Sequence, residues 1–256
     1  MLADLKRPTI FAHRGSSASA PENTMAAFEL ALQNGADAIE LDVKLTADGH
    51  VVIIHDQTLD RTTGKPGNVR ECSLAEIQLL DAGSHFDISF KGERIPTLSE
   101  LFEKIGDRTK YNIELTNYAS PTDSLPEKVA ALVKRYALSE QILFSSFNPL
   151  ALIRVRRKLP QNPIGLLALP GKGGRWARSR LGYLLAYQAL HIAKDDVTLK
   201  ILTSTHRRND RLHVYTVNDG NEMTSLFNMG IDGIFTDDPM LARHVLTTIQ
   251  QGSPAP

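Results

Sequence analysis

The sequence predicts an α/β protein built as a closed (β/α)8 TIM barrel. Three observations point there. Eight short apolar runs alternate with helical stretches down the chain, the rhythm of βα units around a parallel sheet. The length of 256 residues is ordinary for one such barrel. The polar residues of the early runs gather at their C-terminal ends, the end at which a β/α barrel carries its chemistry. An open doubly wound sheet also satisfies the alternation and stays as the alternative on pattern alone.

Strands are expected at 9–14, 37–43, 111–115, 142–146, 164–169, 189–192, 212–217 and 233–236, each short and rich in β-branched or aromatic residues. The first ends in Phe11-Ala12-His13-Arg14-Gly15. After Asn23, Met25, Phe28 and Leu32 recur at helical spacing and read as core, with Gly35 as the stop. The second strand carries Ile39-Glu40-Leu41-Asp42-Val43. Residues 43–46 and 51–55 flank Asp48-Gly49, which reads as a two-residue hairpin loop. In that register Ala47 pairs with His50, and counting back along both strands brings His55 opposite Asp42.

Residues 57–96 form a polar insertion between the hairpin and the next helix. Ser73-Leu74-Ala75-Glu76 and Thr97-Leu98-Ser99-Glu100 have capping-box spacing. Asn148-Pro149 and Asp238-Pro239 each set a capping side chain before a proline at the first helical position. Residues 170–180 make a basic, glycine-rich loop. One barrel domain is expected over 5–248, with the insertion 57–96 inside it and 249–256 as a disordered tail.

Composition excludes several classes. Lysine plus arginine and aspartate plus glutamate balance at 29 each, against the basic excess of a nucleic-acid binder. The single Cys72 rules out an internal disulfide and suits a reducing compartment. Met1 to Lys6 lacks the apolar stretch of an export signal, and Leu181 to Ile192 is interrupted by Gly182, Gln188 and His191. The expectation is a cytoplasmic protein.

Glu40 and Asp42 stand two apart and so face one side of a strand. With Glu114 they form an all-oxygen set at strand ends, suited to one hard divalent cation, Mg²⁺ or Ca²⁺. A salt bridge from Glu40 to Arg14 or Lys44 is the purely structural alternative. Two histidines, His13 and His55, lie beside these carboxylates and could move protons, while Arg14 offers a planar fork to a phosphate. Of the other histidines, His191 could approach the mouth or be core. His50 and His85 read as exposed, and His206, His213 and His244 as structural or solvated.

These residues carry a family resemblance. His13-Arg14-Gly15, Pro21-Glu22-Asn23-Thr24, Glu40-Leu41-Asp42, His55-Asp56, Ile113-Glu114-Leu115, Ser145-Ser146-Phe147-Asn148, Val214-Tyr215-Thr216-Val217-Asn218 and Gly233-Ile234-Phe235-Thr236-Asp237 follow one another in order. The chain thereby resembles the glycerophosphodiester phosphodiesterases. The resemblance implies the barrel and the metal-dependent hydrolysis of glycerophosphodiesters to sn-glycerol 3-phosphate and an alcohol. It implies His13 and His55 as the acid–base pair, Glu40, Asp42 and Glu114 as metal ligands, and Arg14 and Tyr215 as substrate contacts. Two positions depart from the family pattern. Thr116 replaces a usual lysine, and Tyr215 replaces a usual tryptophan. A lysophospholipase D-like activity at a membrane surface is a second reading, because Trp176 is flanked by basic residues within 170–180. A non-catalytic binding protein on the same scaffold is a third. The headgroup and the oligomeric state stay open.

Overall fold

The computed structural model describes residues 1–252. Nine strands form its sheet: β1 (Thr9–Ala12), β2 (Ala38–Leu45), β3 (Val51–Ile53), β4 (Lys110–Leu115), β5 (Ile142–Ser146), β6 (Ile164–Ala168), β7 (Ala189–Ala193), β8 (Arg211–Tyr215) and β9 (Gly233–Thr236). Eight are parallel. Because β1 pairs with both β2 and β9, the sheet closes on itself, and the open-sheet alternative is excluded. The ninth, β3, is the antiparallel partner of β2 in the hairpin.

The helices form where their signals stand. Thr24 accepts from the Ala27 amide to start the helix Met25–Gln33, whose Phe28 is fully buried. Both capping boxes are complete, at Ser73–Glu76 and Thr97–Glu100. Asn148 caps the helix Pro149–Lys158, and Asp238 accepts from the Leu241 amide at 2.9 Å to start Pro239–Gly252. That last helix runs through Gly252, so residues 249–252 of the expected tail are helical. Residues 253–256 lie outside the described part of the chain.

The main apolar core lies between the strands and the outer helices. Inside the barrel the composition changes. Leu5, Phe11, Ala38, Leu143 and Phe235 form a cluster of their own. Against the Phe11 and Phe235 rings pack His191 and His213, both fully buried, with His213 Nδ1 and His191 Nε2 3.2 Å apart. His191 is thus buried but also lines the cavity at the strand ends, whereas His213 is enclosed. Residues between β3 and the helix Leu98–Ile105 pack on a cluster of their own, Val52, Ile54, Leu59, Val69, Ile77, Ala82 and Ile95.

The hairpin differs from its expected register by one residue. Val43 opposes Ile53 and Lys44 opposes Val52, and the Thr46 amide donates to the His50 carbonyl at 3.0 Å. The loop thus holds three residues, 47–49, with Gly49 at φ +80°. The cause is tertiary. The Ala47 amide donates to the Cys72 carbonyl at 2.8 Å, and the Asp48 carboxylate accepts from Thr46 Oγ1 and the Leu74 amide. Neither residue is free for a two-residue turn. Ile54, not His55, therefore sits across from Asp42, its amide donating to the Asp42 carbonyl at 2.9 Å. His55 lies in the bend beyond the strand.

Gly165 permits the close approach of β6 to the buried histidines, for a Cβ there would stand 2.5 Å from His191 Nε2. Gly165→Ala should therefore overpack the barrel interior. The expected cost is about 1–3 kcal/mol, a fall in Tm of roughly 2–12 °C, read by scanning calorimetry. An unchanged Tm would show that the His191 ring can move aside.

Candidate active site

The C-terminal ends of the strands converge on a cavity of about 260 Å³ whose lining includes His13, Arg14, Glu40, His55, Glu114 and Tyr215. Larger hollows exist between the outer helices, but they carry none of these groups. Glu40 and Glu114 line the strand-end cavity, and with the buried Asp42 they each offer a carboxylate oxygen, all within 4.8 Å of one another. Glu40 and Asp42 are buried and Glu114 is half-buried. The strands dictate this grouping. Asp42 pairs in register with Glu114 across β2 and β4, and Glu40 lies one pleat below on the same face.

Three carboxylates this close repel one another, and their environments separate them. Burial and the charges of Asp42 and Glu114 raise the pKa of Glu40 well above the usual range. Burial, then Asp42, pushes Glu114 up to about 8. Burial also opposes ionisation of Asp42, but the Arg14 charge, His55 and the Asn23 amide together hold it below its ordinary value. Arg14 Nε stands 3.3 Å from Asp42 Oδ2, and Asn23 Nδ2 donates to the same oxygen at 3.0 Å. The alternative, a salt bridge from Glu40 to Arg14 or Lys44, is not formed among the described residues. Glu40 instead accepts from the Arg14 backbone amide at 2.9 Å. That contact is made from the His-Arg-Gly turn, where Arg14 holds the left-handed backbone at φ +57°; Asn23, in the following Pro-Glu-Asn-Thr segment, holds it too, also at φ +57°. A hard divalent cation fits this donor set, which has carboxylate charge in excess of its partners and no sulfur or imidazole in it.

Each histidine is oriented by its own carboxylate. His13 Nδ1 lies 2.6 Å from Asp237 Oδ1, and Asp237 also accepts from Ser17 Oγ and Asn218 Nδ2. His55 Nδ1 lies 2.7 Å from Asp56 Oδ1. Asp56 is gripped in turn by Arg61, whose other nitrogens reach Glu22 at 2.7 and 2.8 Å. Against the cost of burial, Arg61 and His55 pull Asp56 down to about 2. With Nδ1 engaged in both rings, Nε2 is the nitrogen without such a partner among the described residues. The sequence had shown Asp56 and Asp237 only as members of motifs. Their orienting role had no signal beyond adjacency to a histidine and to a strand end.

The two departures from the family pattern have local explanations. The Lys44 ammonium is buried and donates to Thr116 Oγ1 at 2.7 Å and to the Thr116 carbonyl at 3.2 Å. The Lys44 charge thus stands beside Thr116, but both residues line a hollow separate from the cavity. Tyr215 keeps the aromatic wall, but its added hydroxyl donates to the Ala168 carbonyl at 2.5 Å instead of facing the cavity. Arg14 lines the cavity while Nη1 donates to Glu22 at 2.9 Å. His206 bonds Asp232, and His50 and His85 are exposed.

The family model described as the glycerophosphoryl diester phosphodiesterase family matches residues 13–241. The chain belongs to this family. A glycerophosphodiester phosphodiesterase of Caldanaerobacter subterraneus subsp. tengcongensis is 41% identical over 231 residues, covering 90% of this chain and 94% of that protein. Another from Bacillus subtilis is 32% identical over 253 residues, covering 91% and 85%. Among solved structures, an Oleispira antarctica phosphodiesterase in complex with the product sn-glycerol-3-phosphate superposes with a TM-score of 0.86 at 32% identity, covering 94% of this chain and 97% of that one. As a family member the chain is an enzyme, a phosphoric diester hydrolase. No helix of the described residues is long and apolar enough to cross a membrane.

The carboxylate cluster gives this glycerophosphodiester phosphodiesterase a pH signature without any turnover. A carboxyl group whose folded pKa is raised binds its proton more tightly in the folded state. The stability it lends is complete below the ordinary value of 4.5 and is lost as pH rises towards about 8. The chelated protein should therefore lose Tm across that window, and Glu114→Gln should flatten the slope. Thermal melts of both proteins at several pH values check this; parallel slopes would mean that Glu114 ionises without penalty.

Proposed function

We propose that the enzyme hydrolyses glycerophosphodiesters to sn-glycerol 3-phosphate and an alcohol, using His13 and His55 as its acid–base pair. The observation that carries this reading is the placement of both imidazoles, each backed by a carboxylate, in one small cavity with Glu40 and Glu114, whose carboxylates cluster with that of Asp42. A divalent cation, Mg²⁺ or Ca²⁺, held by Glu40, Asp42 and Glu114, would neutralise phosphoryl charge and acidify a coordinated hydroxyl.

The chain's own residues supply the rest. Arg14 meets a phosphate oxygen with its planar fork, and Glu22 and Asp42 fix the direction of that fork. One imidazole takes the proton of the attacking hydroxyl while the other gives a proton to the departing alkoxide. Asp237 and Asp56 stabilise whichever ring is charged and hold the tautomer that exposes Nε2. One ring must be neutral and the other protonated, so activity should follow a bell-shaped pH profile. The retained histidines and carboxylates, with family membership, leave the binding-protein reading without support. Cys72 is free and half-buried, which suits the cytoplasm.

Contact with a lipid surface has one observation in its favour. Trp176 is 37% exposed, and Lys172, Arg175 and Arg180 around it are exposed, whereas Arg178 is tied to Asp196. That places a lysophospholipase D-like use of the same site second, and turnover of lysophospholipid in vesicles would distinguish it.

Turnover of glycerophosphocholine should cease on exhaustive chelation and return with Mg²⁺ or Ca²⁺. His13→Ala and His55→Ala should each lower kcat by ~10²–10⁴-fold while the fold persists. Full activity after chelation, or a variant retaining more than about a tenth of the rate, would remove that component from the mechanism.

The first step is internal to the substrate in this reading. The glycerol 2-hydroxyl attacks phosphorus, the bond to the headgroup oxygen breaks, and a cyclic phosphate forms. Water then opens it with the two histidines in exchanged roles. Intramolecular attack of this kind gains effective molarities of ~10⁵ M or more. A 2-deoxy analogue should therefore be a far poorer substrate than the glycerophosphodiester, and equal kcat/KM for the two would show direct attack by water.

A further inference from the structure

Phe147 and Tyr215 line the cavity, and the ring of Tyr118 adjoins them through Phe147. Tyr118 and Phe147 meet edge to face, with centroids 5.8 Å apart and planes at 72°. Phe147 and Tyr215 follow at 6.2 Å and 86°. The rings come from three different elements, the segments after β4 and β5 and the end of β8. Tyr118 is 38% exposed and the other two are half-buried, so all three meet solvent.

Both phenols are turned inward. Tyr118 Oη donates to Glu114 Oε1 at 2.5 Å, and Tyr215 Oη to the Ala168 carbonyl at 2.5 Å. What a ligand meets here is consequently ring surface. Successive near-perpendicular rings enclose corners lined by π-electron density, the arrangement in which aromatic residues hold quaternary ammonium groups. A phenol donating to a carboxylate is also polarised towards phenolate, which makes its face more negative. The Tyr118 hydroxyl is bonded to Glu114 while the residue is 38% exposed, so its ring runs from the carboxylates towards solvent.

Resting on the glycerophosphodiester reading above, we propose that Tyr118, Phe147 and Tyr215 form the headgroup subsite and select a trimethylammonium alcohol, choline. A primary ammonium is strongly hydrated and seeks hydrogen-bond acceptors, which ring faces replace poorly. A trimethylammonium has no N–H to satisfy and spreads its charge over methyl groups that pack on rings. A purely apolar wall would not distinguish that cation from its carbon isostere.

The test compares kcat/KM of the wild-type enzyme for three diesters of glycerol 3-phosphate: with choline, with ethanolamine, and with 3,3-dimethylbutanol, the uncharged isostere of choline. The choline ester should be preferred over each of the others by about 3–30-fold. Phe147→Leu and Tyr118→Leu should bring the ratios towards one, with thermal melts confirming the fold. Phe147→Leu is the cleaner variant, because Phe147 touches no carboxylate. Equal rates for the choline and dimethylbutyl esters would overturn the proposal, as would a preference for ethanolamine. Should the enzyme turn over none of the three, the activity reading fails instead, and a tetramethylammonium titration followed by NMR decides the subsite. Saturable binding weakened by Phe147→Leu supports it; no binding, or binding that the substitution leaves unchanged, overturns it.

Discussion

Mutual repulsion of three carboxylates inside one barrel is the constraint around which the upper half of this molecule is arranged. Glu40, Asp42 and Glu114 are brought together by strand register alone, which is indifferent to charge. Everything adjacent offsets that cost. Arg14 supplies a cation to Asp42 and a backbone donor to Glu40, and it can do both only from a left-handed turn. Asn23, in another left-handed turn, brings an amide to Asp42, and Tyr118 brings a hydroxyl to Glu114. Lys44 adds a buried charge that burial drives below its ordinary pKa while Asp42 and Glu114 pull it back up. The residual excess of negative charge suits the cluster to a cation.

The two histidines reach this cluster by different routes, and the difference matters chemically. His13 follows β1 directly, and its Asp237 partner follows β9, the strand paired beside it. His55 stands on a bend after a short antiparallel strand and is tied into a chain of ion pairs running through Asp56, Arg61 and Glu22 to Arg14. That chain links the residues after β3 to the barrel proper. Where Asp237 is held by neutral donors, Asp56 shares its charge with an arginine. The environments of the two rings are thus unequal.

Much of this was legible in the residues. The alternation of runs announced the barrel, and the capping residues at Ser73, Thr97, Asn148 and Asp238 marked helix starts that the structure keeps, because local backbone satisfaction needs no distant partner. The carboxylates and histidines were visible as polar residues at strand ends. The hairpin register was not. Asp48-Gly49 favours a two-residue loop in isolation, but the Cys72 carbonyl and the Leu74 amide claim Ala47 and Asp48 from the insertion. Such a claim has no local trace.

The sequence by itself determined the class of fold and the chemical types available at the strand ends, since periodicity and side-chain chemistry are properties of neighbouring residues. Tertiary structure alone decided which of those groups meet. Closure of β1 on β9 set Asp237 against His13 across 224 positions, and pairing of β2 with β4 set Lys44 on Thr116 across 72. The same packing brought three aromatic rings from separate elements edge to face. These are contacts of high sequence separation, and they exist only once the whole sheet has closed.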